Sequence, residues 1–173
     1  MQGPDSPPAP PEKIYRLMQT MSEAHAAIDE VLMQTMREVR VFDINPGSLK
    51  DRGLGQPACI EALRNLLLEN RDHRLRIALH DTKGIEGELP RLVALLTLFS
   101  GQMQIHRTMG QAVEARDPMI IADDAHFWRK LHVDHPRSVM TLHSTVDARP
   151  FVERFEEIWE LSEIAVTGSS LGL

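Results

Sequence analysis

Short apolar runs with strand-like character follow one another through the middle of the chain, separated by segments with helical periodicity. Val39–Ile44, Arg74–Leu79 and Gln102–His106 are the predicted strands. Apolar residues recur every three or four positions in Pro57–Glu69 and Leu89–Phe99, which predicts helices there. Strand–helix–strand units of this length form right-handed crossovers between parallel strands. The sequence therefore predicts an α/β fold with a mainly parallel sheet flanked by helices.

A long amphipathic segment precedes the first predicted strand. From Glu12 to Arg37, apolar or small residues are spaced alternately three and four apart. This spacing predicts a long N-terminal helix. Packing of its apolar side against the sheet of its own domain is the preferred interpretation, and half of a helical dimer interface is the alternative.

The pattern changes in the last third of the chain. Met119–Ala122 and His126–Leu131 flank a turn at Asp123-Asp124 and are predicted to form a hairpin, and Ser138–Leu142 is predicted to add a strand. Arg149–Ser162 is a predicted amphipathic helix with Asp147 as its cap. The fold is thus expected to end in antiparallel strands and a closing helix.

Composition limits the function classes that remain open. The formal net charge of -6 argues against broad, sequence-independent nucleic-acid binding, although a local basic groove is compatible with it. The single cysteine, Cys59, excludes an intramolecular disulfide and lies among apolar residues. A buried thiol is therefore favoured over a nucleophile.

The ends of the chain differ in composition from the rest. Residues 1–11 contain five prolines, which predicts a flexible leader, and residues 167–173 are expected to fray. Residues 12–166 are expected to form a single domain. The start lacks a secretory signal pattern and no segment has the apolar length to cross a bilayer, so a cytoplasmic location without membrane association is expected.

Two segments carry a resemblance to a known superfamily. Met119–Asp124 is an apolar strand that ends in an aspartate and a turn, and Phe151–Trp159 has a Phe-x-x-x-Trp pattern in the closing helix. With the order of elements, these features resemble one catalytic lobe of the phospholipase D-like superfamily. Residues 26–162 more closely resemble a bacterial family of unknown function that is sometimes linked to acetyltransferase domains. The resemblance implies the fold, and it implies a tendency of two lobes to pair.

The catalytic motif of that superfamily is not present. It requires His-x-Lys followed four residues later by Asp, and counting back from Asp123 gives Arg116 and Pro118. No His-x-Lys occurs in the chain, and His126–Lys130 replaces the Gly-Ser-x-Asn segment that follows in the superfamily. Arginine binds anions but is neither a nucleophile nor a proton donor at neutral pH. No catalytic residue is therefore predicted.

Polar residues at strand ends form the candidate ligand site. Ligands of parallel sheets collect beyond the carboxyl ends of the strands. The expected anion or ligand cleft consists of Asp43, Asn45, His80, Asp81, His106, Arg107, Arg116 and Asp123. Aspartate and asparagine after a strand are also ordinary turn formers, which is the alternative for each of them.

Metal and cofactor sites are not predicted. His126, His132, His135 and His143 lie close together in the sequence, but their spacing matches no zinc pattern and no cysteine pair accompanies them. The glycines at 84 and 87 match neither nucleotide-binding pattern. The sequence therefore predicts no cofactor.

These observations predict a non-catalytic phospholipase D-like binding or scaffold module that acts as a homodimer or with a protein partner. One alternative is a divergent phosphodiesterase or nuclease in which His80 acts with His106 or Arg116. Another is a nucleic-acid-binding module that uses Arg116, Arg129, Lys130 and Arg137. Nucleic acid is the less expected partner because of the net charge.

Overall fold

A computed structural model of the chain describes residues 6–168, which contain one sheet of eight strands. The strands are β1 (Ile14–Met18), β2 (Glu38–Asp43), β3 (Arg74–Leu79), β4 (Met103–Thr108), β5 (Met119–Ala122), β6 (His126–Lys130), β7 (Ser138–Leu142) and β8 (Ser162–Val166). The helices are α1 (Met21–Met33), α2 (Pro46–Asp51), α3 (Pro57–Glu69), α4 (Ile85–Glu88), α5 (Pro90–Leu98) and α6 (Thr145–Glu160). The strand order is β1-β7-β6-β5-β2-β3-β4-β8.

Parallel pairing is confined to the centre of the sheet. β3 lies between β2 and β4 and is parallel to both. The other five pairings between described strands are antiparallel. The predicted α/β class with flanking helices is confirmed, but the expectation of a mainly parallel sheet is wrong. Crossover helices connect only the three central strands, while β5, β6 and β7 follow one another as an antiparallel meander.

Helices cover the two faces of the sheet unequally. Helices α1, α3 and α5 pack on the face to which Val41, Ile77 and Trp128 point. Helix α6 and a 3-10 turn at residues 110–114 cover the other face, where Phe42 and Phe155 belong to a second apolar cluster. Adjacent strand residues such as Val41 and Phe42 enter different clusters because side chains alternate across a strand.

The predicted N-terminal helix is wrong in its first part. Ile14–Met18 is an edge strand paired with β7, and the helix begins only after Thr20. The Thr20 hydroxyl accepts a hydrogen bond from the Glu23 N–H, and the Glu23 carboxylate accepts the N–H of Gln19 and of Thr20. This reciprocal cap defines a helix start that apolar spacing alone did not reveal.

Helix α2 and strand β8 are among the elements that were not predicted. Asn45-Pro46-Gly47 reads as a turn in the sequence, yet Asn45 is the N-cap of the short helix α2. The residues after Leu161 form β8, which pairs antiparallel with β4 at the second edge of the sheet. Helix α6 also begins earlier than predicted, because Ser144 and not Asp147 is its cap.

The chain ends were expected to lie outside the domain. Residues 6–13 adopt neither helix nor strand, and residues 1–5 of the predicted leader lie outside the described part. Residues 169–173 of the predicted tail also lie outside it. Among the described residues, no helix combines the length and apolar character needed to span a membrane.

Candidate functional site

A cleft opens beyond the carboxyl ends of the central parallel strands. Strand β5 is antiparallel to β2, so the first residues of β5 lie at the same end of the sheet as the last residues of β2 and β3. The cleft has a volume of about 610 Å³. Its walls are Ile44, His80, Val113, Arg116, His132, Val133 and Asp134. The position matches the expected location of ligands beyond the carboxyl ends of parallel strands.

His80 lies on the cleft wall with both ring nitrogens engaged. Nε2 is 2.7 Å from the carbonyl oxygen of Ala115, and Nδ1 is 2.6 Å from the hydroxyl of Thr108. A carbonyl oxygen only accepts hydrogen bonds, so Nε2 must carry the hydrogen and donate it. The ring is therefore held between β4 and the segment that precedes β5.

Arg116 is an exposed cation on the same wall. Its Nη1 donates to the carbonyl oxygens of Val113 and Ala115 at 2.8 and 3.0 Å and lies 3.5 Å from Nε2 of His80. The structure thus brings together His80 and Arg116, two of the residues expected in the cleft. Arginine presents five donors in a fixed planar arrangement, and the donors not used here remain suited to an anion.

A buried ion pair lies next to the cleft on the other face of the sheet. The Arg52 Nε donates to the Asp43 carboxylate at 3.2 Å, and the two side chains are 6% and 2% exposed. The Arg52 guanidinium also lies over the Trp128 ring, 5.3 Å from its centroid. Burial raises the pKa of Asp43, while Arg52, the Ile44 N–H and Lys130 oppose that rise. Asp43 is therefore a structural anchor at the end of β2 and not a wall of the cleft.

Asn45 and Asp81 perform turn and cap roles. The Asn45 side-chain oxygen accepts the Ser48 N–H at 2.9 Å at the start of α2. The Asp81 carboxylate accepts the Lys83 N–H at 2.9 Å in the following turn. Both contacts are the local hydrogen bonds that make these residue types common after strands.

His106 and Arg107 lie on β4 and do not line the cleft. The His106 ring stacks on Trp159 with centroids 3.6 Å apart, and its Nδ1 is 2.7 Å from the Ser162 hydroxyl. Burial and the nearby Arg76 lower the pKa of His106. Arg107 pairs with Glu163 of β8 at 2.8 Å. These contacts fasten β8 to the sheet.

Asp123 lies at the opposite end of the sheet from Arg116. Its carboxylate accepts the backbone N–H groups of Met36, Arg37 and Glu38 at 2.8–3.0 Å, which joins the turn after β5 to the start of β2. Its φ of +54° is in the left-handed region. The expected grouping of Asp123 with the cleft residues therefore does not occur, because an extended strand separates them by roughly 20 Å.

The contacts and burial of the histidine group and of Cys59 indicate structural roles for these residues. Within residues 6–168, no group of three or more His, Cys, Asp or Glu side chains could hold a metal ion. His126 instead accepts the backbone N–H of His143 through Nδ1 at 3.0 Å. Cys59 is buried, and burial together with Asp29 raises the pKa of its thiol to about 12. A thiol with that pKa is not a nucleophile at neutral pH.

A family model described as a domain of unknown function (DUF7931) matches residues 20–167. The chain belongs to this family. No curated protein sequence matches the chain. The matched range of the DUF7931 domain contains the strands β2–β8 and the whole cleft.

Solved structures share the fold of this DUF7931 domain at low sequence identity. Nuc from Salmonella typhimurium, a phospholipase D family member, is 12% identical with a TM-score of 0.60, and the match covers 90% of this chain and 100% of Nuc. NucT from Helicobacter pylori is 9% identical with a TM-score of 0.56, covering 89% of this chain and 100% of NucT. These likenesses show that the domain has the phospholipase D fold.

A DNA-binding protein shares the same architecture. TrmBL2, an archaeal chromatin protein, is 18% identical with a TM-score of 0.57, and the match covers 87% of this chain. The DUF7931 chain spans about half of TrmBL2, since only 54% of that protein is covered. Proteins with different described roles thus share this fold.

Sequence reasoning missed several contributors to the DUF7931 cleft and its surroundings. Thr108 and the Ala115 carbonyl hold His80, and the loop residues Val133 and Asp134 form a wall. The basic residue Lys130 in a predicted strand that precedes this loop was the available sequence signal for a second cation. A backbone carbonyl such as that of Ala115 has no sequence signal at all.

Proposed function

We propose that this domain is a non-catalytic phospholipase D-like binding module that holds an anionic, phosphate-bearing ligand in the cleft beside Arg116. The observation that carries the proposal is the double engagement of His80. His80, one of the two histidines of the cleft wall, spends one nitrogen on the Ala115 carbonyl and the other on the Thr108 hydroxyl. Neither nitrogen is left to attack phosphorus or to protonate a leaving group.

Nucleophilic catalysis by histidine needs an imidazole nitrogen with a free lone pair directed at the substrate. Nε2 of His80 carries a hydrogen because its partner is a carbonyl, and Nδ1 faces β4 and not the cleft. The position that the superfamily motif assigns to histidine is Arg116, which has no nucleophilic or acidic form at neutral pH. The local chemistry therefore supports binding over turnover.

Anion binding is supported by the composition of the cleft walls. Arg116 is exposed and brings guanidinium donors to a concave surface of about 610 Å³, a volume within the range of small-molecule sites. Ile44 and Val113 add apolar contact area for the organic part of an ester. A single exposed arginine favours a small phosphate ester over a long polyanion.

The test combines a binding assay with a cleavage assay. Inorganic phosphate and adenosine monophosphate are titrated into the wild-type chain and into Arg116→Gln, while bis-nitrophenyl phosphate and single-stranded DNA are tested for hydrolysis. We expect binding that Arg116→Gln weakens about tenfold, the loss of one charge-assisted contact, and no hydrolysis. Turnover that His80→Ala abolishes would refute the proposal and favour the divergent phosphodiesterase or nuclease.

The likeness to TrmBL2 supports nucleic-acid binding as a second candidate. Arg129, Lys130 and Arg137 would supply the phosphate contacts, and DNA affinity would then fall steeply as salt concentration rises. DNA retention at low salt that is lost in Arg137→Gln would favour this candidate.

We also propose a cytoplasmic location and action as a homodimer or with a protein partner, such as an acetyltransferase domain. Light scattering tests for the homodimer, and co-purification of the two proteins tests for the partner.

A further inference from the structure

The loop between β6 and β7 forms part of the cleft wall and is held by two hydrogen bonds. The Val133 N–H donates to the Arg116 carbonyl at 3.1 Å. The Lys130 ammonium donates to the Val133 carbonyl at 2.9 Å. The charge of Lys130 is therefore directed at a neutral backbone oxygen of the loop that forms part of the cleft wall.

Two buried polar groups near Lys130 have no hydrogen-bond partner within residues 6–168. Ser138 is directly opposite Lys130 in the β6–β7 pairing, so the two side chains project from the same face. Ser138 is 0% exposed, and its hydroxyl has no partner among the described residues. Trp128 is 1% exposed, two residues before Lys130 on the same face, and its Nε1 also lacks a partner in the described part of the chain. Buried donors of this kind require an acceptor, which a ligand or a water molecule would supply.

Lys130 is half-buried and lies among one cation and three carboxylates. Arg52 and Lys130 lie near one buried carboxylate, that of Asp43, and burial together with Arg52 lowers the pKa of Lys130. Asp51 and Asp134 also attract Lys130. Both are exposed, and Asp134 belongs to the loop itself. Movement of the loop would therefore withdraw one carboxylate and one carbonyl oxygen from Lys130 at once.

We infer that Lys130 is a second anion-binding residue of this cleft, and that the loop His132–Asp134 is a lid that occupies Lys130 until a phosphate group displaces it. The inference rests on the proposed function and extends it to a ligand with a free or monoesterified phosphate group. Such a group supplies acceptor oxygens to Lys130 in place of the Val133 carbonyl, and to the Ser138 hydroxyl opposite it. The lid explains why Lys130 does not line the cleft in its closed form.

The experiment titrates inorganic phosphate and glycerol phosphate into the wild-type chain, Lys130→Met, Lys130→Arg and Asp134→Asn, with Lys13→Met as the matched control. Lys13 is an exposed lysine that pairs with Asp147 and lies away from the cleft. Lys130→Met is expected to weaken phosphate binding about tenfold, Lys130→Arg less, and Lys13→Met not at all. Asp134→Asn is expected to tighten binding about threefold because the lid loses its carboxylate. Glycerol phosphate binding more tightly than inorganic phosphate would assign the site to a monoester.

The lid itself is followed through hydrogen exchange of the Val133 amide. Exchange is expected to accelerate when phosphate binds the wild-type chain and to be fast without phosphate in Lys130→Met. Unchanged affinity of a folded Lys130→Met, with Arg116→Gln still impaired, would overturn the lid inference and leave the proposed function standing. Failure of the wild-type chain to bind either phosphate would overturn both.

Discussion

Arg76 on β3 and Glu156 on α6 form a two-point ion pair across the interface between sheet and helix. The Arg76 Nη1 and Nη2 donate to the two carboxylate oxygens of Glu156 at 2.9 and 2.5 Å. Arg40 donates to the same carboxylate at 3.2 Å, and Glu38 pairs with both arginines from β2. This network holds α6 to the end of the sheet opposite the cleft.

Replacement of Glu156 by glutamine should destabilise the fold, because Arg40 and Arg76 lose a charged acceptor that they share. Glu156 is 39% exposed, so water compensates part of the loss and we expect a decrease of about 1–2 kcal/mol in the free energy of unfolding. Urea denaturation of Glu156→Gln beside Glu160→Gln, an exposed glutamate at the end of the same helix, measures it. Equal stability of the two variants would contradict a supporting role for the network.

The same pair predicts a contribution to stability at low pH. Hydrogen bonds from Arg76 lower the pKa of Glu156 below its ordinary value of 4.5. A carboxylate with a lowered folded-state pKa stabilises the protein above its unfolded pKa, and that contribution is lost as pH falls through the folded pKa. We therefore expect the difference in free energy of unfolding between the wild-type chain and Glu156→Gln to shrink as pH falls below about 4.5 toward the folded-state pKa.

Asp123 should matter for stability and not for ligand binding. Its carboxylate accepts three backbone N–H groups, and its positive φ suits aspartate or asparagine. Asp123→Ala is expected to cost about 2–3 kcal/mol and Asp123→Asn roughly half of that, because asparagine keeps one acceptor oxygen and the backbone conformation. Phosphate affinity of the folded variants should equal that of the wild-type chain. A selective loss of affinity would connect Asp123 with the cleft after all.

His126 should make the protein less stable in mild acid. Burial, with a smaller contribution from the charge of His143, lowers its pKa below 6.5. A histidine with a lowered folded-state pKa stabilises the fold above about pH 6.5, and this contribution is lost as pH falls from there toward the folded pKa. Unfolding measured between about pH 8 and pH 5.5 should show a shallower decline for His126→Asn, whose side-chain oxygen can accept the His143 N–H as Nδ1 does. An identical decline in both proteins would refute the assignment.

Thr20 should mark the boundary between strand and helix. Thr20→Ala removes the hydroxyl that accepts the Glu23 N–H, and an N-cap of this kind contributes about 1 kcal/mol. Thr20→Ser keeps the acceptor and is the control. Hydrogen exchange of the Glu23 amide should accelerate in the alanine variant only. Protection of the Ile14–Met18 amides in a continuous helical pattern would contradict the strand β1.

Local sequence patterns predicted those elements in which the pattern of buried side chains is visible within the element's own residues. β3 was predicted as Arg74–Leu79 and is observed with those bounds, and α3 and the β5–β6 hairpin also agree. Each has an apolar periodicity or a turn signal contained within its own residues. The edge strands β1 and β8 were missed because pairing with distant residues forms them: β1 needs β7, and β8 needs β4. Four of the five residues of each strand are not buried, so no alternation marked them.

The candidate site shows the same contrast between local sequence patterns and tertiary contacts. From the sequence alone, the absence of His-x-Lys and the presence of Arg116 near the start of an apolar strand were evident. The tertiary structure decided which polar residues meet. It joins His80 to the Ala115 carbonyl, sends Asp123 to the far end of the sheet, and covers Lys130 with the Val133 carbonyl. Strand direction and register determine these neighbours, and both are properties of pairings between distant segments, which a residue pattern within one segment does not contain.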